Sequence, residues 1–413
     1  MNKHTYRSKK VNAINWEQLR ERWSGQALLF AVDVAKDGQY AELSCQGPDG
    51  AVLMHWDLLE GTAALIAELK GFGSPVAVVM ESSGTYGDAL RHRCRLAGFE
   101  VFRASAKRVH DAREVYDGVP SLHDAKAACL IAKLHRDGLT KPWHEPDARE
   151  RELGALRREY EMHRGQYERC QNRLEAYLSR HWPEALRILS PDSVTLEQVL
   201  KKYGSPAEVA ARGEEAAADM RRIGGHFLAE GTIREAVASA GATLGEPCVG
   251  AERRYLMALA GEMEHSRLHL RRAGRAMEAL VGADGELSGM AKAVGLLTTA
   301  ILLSLHLDPR HFASARAFQK ALGLNLREQS SGTHKGRLML TKRGSALARK
   351  YLYYAALRLI KNDPVVARWY TGRLDPKAKL KAVAAVMRKL AMALWHVARG
   401  QAFDAGRLLK PAA

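Results

Sequence analysis

Two stretches of this chain repeat one apolar spacing, and the repetition limits the folds open to it. Leu153, Leu156, Tyr160, His163, Tyr167, Cys170, Leu174 and Tyr177 follow one another at intervals of three and four residues. Leu256, Leu259, Met263, Ser266, Leu270, Ala273, Met277 and Leu280 repeat that spacing, more weakly because of the Ser and the Ala. A sustained three-four alternation on a charged background predicts the seam of a long helix packed against another. Two helices of matched length fit an antiparallel hairpin or a dimerising coiled coil. His163 and Cys170 read as packing residues of the first seam. Residues 183–250, between the two helices, are rich in Gly and Ala with short helical stretches. They read as an inserted cap with no chemistry of its own.

Ahead of the first seam the pattern is α/β. "ALLFAVDVA" (27–35) is a short apolar run with an Asp near its end, and Lys-Asp-Gly follows as a turn signal. "QYAELSCQG" and "AVLMHWDL" are two further strand candidates separated by the turn "PDG". A helix over 59–71, the β-branched run "PVAVVMES", a helix over 85–97, the strand "FEVFRAS" and a helix over 105–114 come next. A three-strand meander followed by alternating helices and strands predicts a mixed sheet with helices packed on it. The RNase H-like fold has that order.

In such a fold the ends of the first and fourth strands and a late helix converge at one edge. Asp33, Glu81 and Asp124 are expected at those three places. Carboxylates gathered there suit Mg2+, which takes hard oxygen ligands and can stabilise the attacking and leaving oxygens of a phosphodiester. Asp124 also stands where an acid is favoured in any helix, in a first turn. One turn later on the same face, in "SLHDAKAACLIAKL", the chain has Ala127.

Charge is distributed unevenly. Residues 291–413 carry 23 Lys and Arg against 5 Asp and Glu, so all of the net +17 resides in the last third. A field that concentrated, on a stretch that also carries amphipathic helices, points to a polyanion, with nucleic acid the leading candidate. Within it, "QSSGTHKGR" places Ser330 and Ser331 before Gly332, with Lys335, Arg337, Lys342 and Arg343 close behind. Glycines permit close approach of the backbone to a phosphate, and the basic side chains would neutralise it. A serine there is either a nucleophile on a scissile phosphate or a hydrogen-bond donor in a phosphate-contacting loop. No P-loop and no Ser-His-Asp arrangement is present, which argues against NTPase and hydrolase readings. Five scattered cysteines without a CxxC pair argue against a disulfide framework or a structural zinc. No apolar h-region follows the basic N-terminus, and no run approaches the roughly 20 apolar residues of a membrane span. The expectation is a soluble, cytoplasmic protein with no membrane partner.

Together these segments resemble the DEDD-type insertion-sequence transposases called IS one-ten, which include the Piv-like invertases. "AVDVAKD" is similar to the family's first-Asp motif, and "MESSGTYG" to its glutamate motif. "HDAKAACLIAKLHRDGL" is similar to its D-x-x-D-A-x-x-I-A helix, while "TTAILL", "FASARAFQKALGL" and "SSG…LTKRG" resemble blocks of its C-terminal domain. The resemblance covers nearly the whole chain. It implies a RuvC-like domain whose acids bind Mg2+, a coiled-coil linker, and a C-terminal domain whose serine attacks DNA to form a phosphoserine. Ser331 best matches that nucleophile, with Ser330 the fallback. The resemblance further implies double-stranded donor and target DNA, a structured noncoding bridge RNA pairing with both, and homodimers or homotetramers. One active site would draw its acids and its serine from different protomers. Two positions depart from the family pattern: Ala127 stands in place of the fourth acid, and Leu326 in place of a Pro.

The expected architecture is therefore α/β plus α. An RNase H-like (RuvC-like) domain occupies 1–145. A coiled-coil linker spans 146–287 with its insertion at 183–250, and a basic helical domain carries the serine loop over 288–413.

Overall fold

A computed structural model describes residues 6–36, 38–45, 50–81, 84–328, 336, 338–373, 375 and 378–409. The chain separates into two compact units, Met1–Glu145 and Pro146–Ala413.

The first unit is built on a seven-stranded mixed sheet. Its strands are β1 (Lys9–Lys10), β2 (Leu28–Asp33), β3 (Gly38–Cys45), β4 (Ala51–Asp57), β5 (Val76–Glu81), β6 (Glu100–Ala104) and β7 (Lys141–Pro142), in the spatial order β1-β4-β3-β2-β5-β6-β7. The run β4-β3-β2 is an antiparallel meander, and β2, β5 and β6 are parallel to one another. That is the RNase H-like arrangement, with β1 as an unforeseen addition that pairs Lys9 and Lys10 with Met54 and His55. The helices are α1 (Trp16–Arg22), α2 (Leu58–Lys70), α3 (Asp88–Leu96), α4 (Ala106–Asp111) and α5 (Asp124–Arg136).

Side chains alternate across a strand, so each strand feeds two cores. Leu28, Phe30 and Val32 of β2, with Val76, Val78 and Met80 of β5, pack in one apolar cluster with Leu65, Leu69, Leu90 and Cys94 from α2 and α3. Leu29, Ala31 and Val79 face the other way and pack with Ala127, Leu130, Ile131 and Leu134 of α5.

The second unit is helical among its described residues apart from a short hairpin. Its first helix, α6 (Ala148–His181), opens on a capping box: Glu150 N donates to Asp147 Oδ1 at 2.7 Å, and Asp147 N donates to Glu150 Oε2 at 3.0 Å. Five short helices follow, α7 (Ala185–Ile188), α8 (Val194–Tyr203), α9 (Pro206–Ala211), α10 (Gly213–Gly224) and α11 (Glu230–Gly241), before the chain returns along α12 (Gly250–Gly282). The two long helices are antiparallel. Tyr160 lies against Gly274, His163 stacks on His269, Tyr177 meets Tyr255, and Arg180 reaches Glu252. Of the two arrangements open to the seams, this is the hairpin, so both apolar seams are consumed within one chain.

Two cores divide the hairpin between them. Cys170, Leu174, Leu178 and Trp182, with Leu256, Leu259 and Met263, pack with α8–α11. At the other end Leu153, Tyr160, Ala273, Met277 and Val281 pack with the C-terminal helices α13 (Ser288–Val294), α14 (Leu296–Ser304), α15 (Ala315–Ala321), α16 (Ala346–Asn362), α17 (Pro364–Thr371), α18 (Lys379–Val397) and α19 (Ala405–Leu408).

The run "AKAVGLLTTAILLSLHL" forms two helices bent by 113°. Gly295 is the joint, at φ +83°, and the Arg358 guanidinium lies 3.0 Å from where a Cβ would stand. Thr298 through Ser304 are all buried, so this apolar run is core. Among the described residues no single helix is long and apolar enough to cross a membrane.

Candidate active site: an acidic strand-end cluster and a clasped basic loop

Strand parity aims the first two acids. Asp33 shares parity with Leu29 and Ala31, and Glu81 with Ala77 and Val79, so both carboxylates belong to the face of the sheet covered by α5. β2 and β5 are parallel neighbours with Val32 opposite Met80, which sets Asp33 and Glu81 side by side at the strand ends. Asp124 is the first residue of α5, which packs across those strands.

The electrostatics record the convergence. Burial, then the neighbouring charges of Glu81 and Asp124, push the Asp33 carboxyl up to about 7. Burial also raises Glu81. Among the described residues no ion pair reaches any of the three acids. Two half-buried carboxylates, Asp33 and Glu81, with the exposed Asp124 form a donor set that a hard divalent cation would satisfy. One cleft of this unit lies at the opposite strand ends, around Leu28, Pro75 and Gly98, and is lined by none of the three acids.

Helix α5 is anchored at both ends. Near its start Lys126, only 1% exposed, donates from Nζ to Asp117 Oδ1 at 2.9 Å and to Val119 O at 2.7 Å. Tyr6 OH donates to the other Asp117 oxygen at 2.7 Å. At its far end Arg136 donates to Glu42 Oε1 and Ser44 Oγ of β3, at 2.6 and 2.7 Å. Sequence reading passed over Lys126. Its one visible signal was a lysine two residues after the acid in an otherwise apolar turn. Ala127 is 4% exposed and packs with Leu29, Ala31 and Val79. The position one turn beyond Asp124 is thus apolar core in this chain.

In the second unit, β8 (Leu326–Arg327) pairs antiparallel with β9 (Met339–Leu340), Leu326 opposite Leu340. The hairpin frames the serine loop. Ser330, Ser331, Lys335 and Arg337 lie outside the described residues, whereas Lys342 and Arg343 are exposed just after β9. The base of the hairpin is clasped tightly. A Cβ on Gly344 would stand 2.3 Å from the Ala321 carbonyl oxygen and 2.7 Å from Gly323 N, so only glycine fits there. Thr341 Oγ1 donates to Asn325 Oδ1 at 2.6 Å, Lys342 N to Gly323 O at 3.0 Å, and Arg349 Nη1 to Gly344 O at 2.9 Å. Lys342 itself holds φ +53°, an uncommon conformation for a side-chain-bearing residue. The segments "ALGL" and "LTKRG" are thereby joined at the base of the hairpin.

Two family models match this chain. Residues 31–183 match the transposase model for the DEDD domain of IS110 elements, and residues 290–371 match that of the transposase IS116/IS110/IS902 family. No curated protein matches the chain. The first match spans all three acids and the second spans the clasped hairpin, and the two together cover more than half of the sequence. The chain belongs to the IS110 family of transposases, enzymes of DNA transposition.

Proposed function

We propose that this transposase exchanges DNA strands under the guidance of a structured noncoding bridge RNA that pairs with donor and target DNA. The reading rests first on the carboxylate cluster, in which Asp33 and Glu81 close neighbouring parallel strands and α5 begins at Asp124. Asp33, Glu81 and Asp124 would hold Mg2+, which supplies Lewis acidity and positive charge at a scissile phosphate. Ser331, with Ser330 as fallback, is the nucleophile. Its Oγ gives up a proton and bonds to phosphorus while the departing DNA oxygen takes up a proton. The resulting ester conserves the bond energy, and a hydroxyl of the second strand reverses the step and frees the serine. Lys335, Arg337, Lys342 and Arg343 neutralise the phosphates on either side. A homodimer or homotetramer, with acids and serine from different protomers, belongs to the same reading. Because the seams are consumed within each chain, that assembly would use other surfaces.

The test is a covalent protein–DNA band formed with the flanking noncoding RNA, Mg2+ and labelled donor and target duplexes. The band is expected to vanish in Ser331→Ala. A band that persists there and in Ser330→Ala, or free cut ends without a band, would favour a hydrolytic nuclease and remove the serine chemistry.

One observation favours a second reading. Ala127 is apolar core where the family pattern has an acid, which suits a chain that binds DNA and RNA without cutting. Running the same assay on Ala127→Asp separates the two. A band only in the substituted chain marks a disabled fourth ligand, and none in either marks a binding protein.

A further inference from the structure

The long helix pair carries a second set of ligand-type side chains, unrelated to the acids. Glu159 and His163 are one turn apart on α6, and His265 and His269 are one turn apart on α12. A spacing of four puts both members of each pair on one helix face, and the antiparallel register brings the two faces together. The His163 ring stacks on His269 with centroids 4.7 Å apart, and His265 lies 4.4 Å from His269 and 5.6 Å from His163. Glu159 Oε1 is 3.8 Å from His269 Nδ1. One ligand atom each from Glu159, His163 and His269 lies within 4.8 Å of the others.

The cluster also interrupts the seam in an uncommon way. His163 is a buried seam residue, 8% exposed, and so is Ser266, fully buried with no hydrogen-bond partner for its Oγ among the described residues. Apolar residues fill the seam on both sides, and this polar level falls in the gap between the two cores of the hairpin. Buried polar groups in a helix seam cost stability unless something satisfies them.

We propose that Glu159, His163 and His269 form a binding site for a divalent transition metal of the zinc class, with His265 as a fourth ligand within reach. Two or three imidazoles with one carboxylate suit zinc-type ions and disfavour Mg2+, which prefers oxygen. The ligand atoms must draw in from their present spacing to roughly 3.3 Å apart for tetrahedral bonds of about 2.05 Å. The half-exposed side chains of Glu159 and His269 are free to make that rotation. A metal there clips α6 to α12 and closes off the insertion α7–α11 as a loop tied at its base.

The test uses tag-free, full-length protein stripped with a chelator and titrated with Zn2+ against a chromogenic competitor, in excess Mg2+. One Zn2+ per chain is expected. Affinity should fall at least about 100-fold in His269→Gln and in Glu159→Gln, and stay unchanged in Asp33→Asn. Co2+ should give the strong visible absorption of a tetrahedral site in the parent chain and lose it in His269→Gln. Both substituted side chains are half-exposed and keep their polarity, and circular dichroism will establish that the helices persist. Equal Zn2+ affinity in the parent chain, His269→Gln and Glu159→Gln would overturn the proposal. So would binding that is abolished by Asp33→Asn, or no binding at all.

Discussion

The acid cluster at the strand ends and the histidine cluster in the helix pair solve one problem with different geometry. Each gathers ligand-type side chains from sequence-distant elements. In the sheet, a period of two and a parallel register put Asp33 beside Glu81, and α5 adds Asp124. In the hairpin, a period near 3.6 and an antiparallel register put His163 against His265 and His269. Burial first, then the neighbouring acids, raises the Asp33 carboxyl, whereas burial first, then the neighbouring imidazoles, lowers the His163 basicity. Hard oxygen donors and borderline nitrogen donors thus stand in separate parts of one chain, each suited to an ion the other would bind poorly.

The largest expected effect separates the acid cluster from its surroundings. Asp33→Ala should lower strand exchange by at least about 10³-fold and leave RNA binding within severalfold. RNA binding that falls in parallel would make Asp33 a folding residue. Next comes Ala127→Asp, which buries a fourth carboxylate among Leu29, Ala31 and Val79. Without divalent metal it should destabilise the first unit by about 3 kcal/mol, and Mg2+ should restore most of that loss in thermal melts. A substitution equally harmful with and without Mg2+ would show that position 127 is core and nothing more.

A third expectation concerns pH. The Asp33 carboxyl is raised from 3.8 to about 7, so the folded state holds its proton more tightly than the unfolded chain does. The associated stability is fully present below the unfolded value and is lost as pH rises through about 7, at no more than about 1.4 kcal/mol per pH unit. Urea melts of metal-free protein should show that decline, and Asp33→Asn should flatten it. Added Mg2+ should oppose it, because binding requires the ionised carboxylate. The smallest effect is a positioning one. Lys126→Met releases the 117–119 segment from α5 and should weaken Mg2+ binding about 10-fold. An unchanged Mg2+ affinity would confine Lys126 to packing.

Much of the first unit was legible because short apolar runs closed by an acid mark strand ends. "LLFAVD" and "VAVVME" led in this way to Asp33 and Glu81, and the Asp at the head of an apolar helix marked Asp124. The two seams likewise announced α6 and α12. What the spacing did not encode was the partner. Heptads state that a face is covered, yet not whether by a second chain or by a helix some hundred residues away. His163 therefore read as packing, since His265 and His269 have no local relation to it. The Gly295 bend escaped notice because a glycine in an apolar run is silent about its φ until the Arg358 side chain is seen beside it. Burial of Lys126 depended on Asp117 and Tyr6, whose approach no local pattern announces.

The hairpin also sets a length. At 1.5 Å per residue, the 34 residues of α6 span about 51 Å, with the α7–α11 helices at one end and the basic helices at the other. Duplex DNA advances about 3.4 Å per base pair, so the rod is about 15 base pairs long. Contacts made on one nucleic acid by its two ends would fall about one and a half helical turns apart, on opposite sides of the duplex.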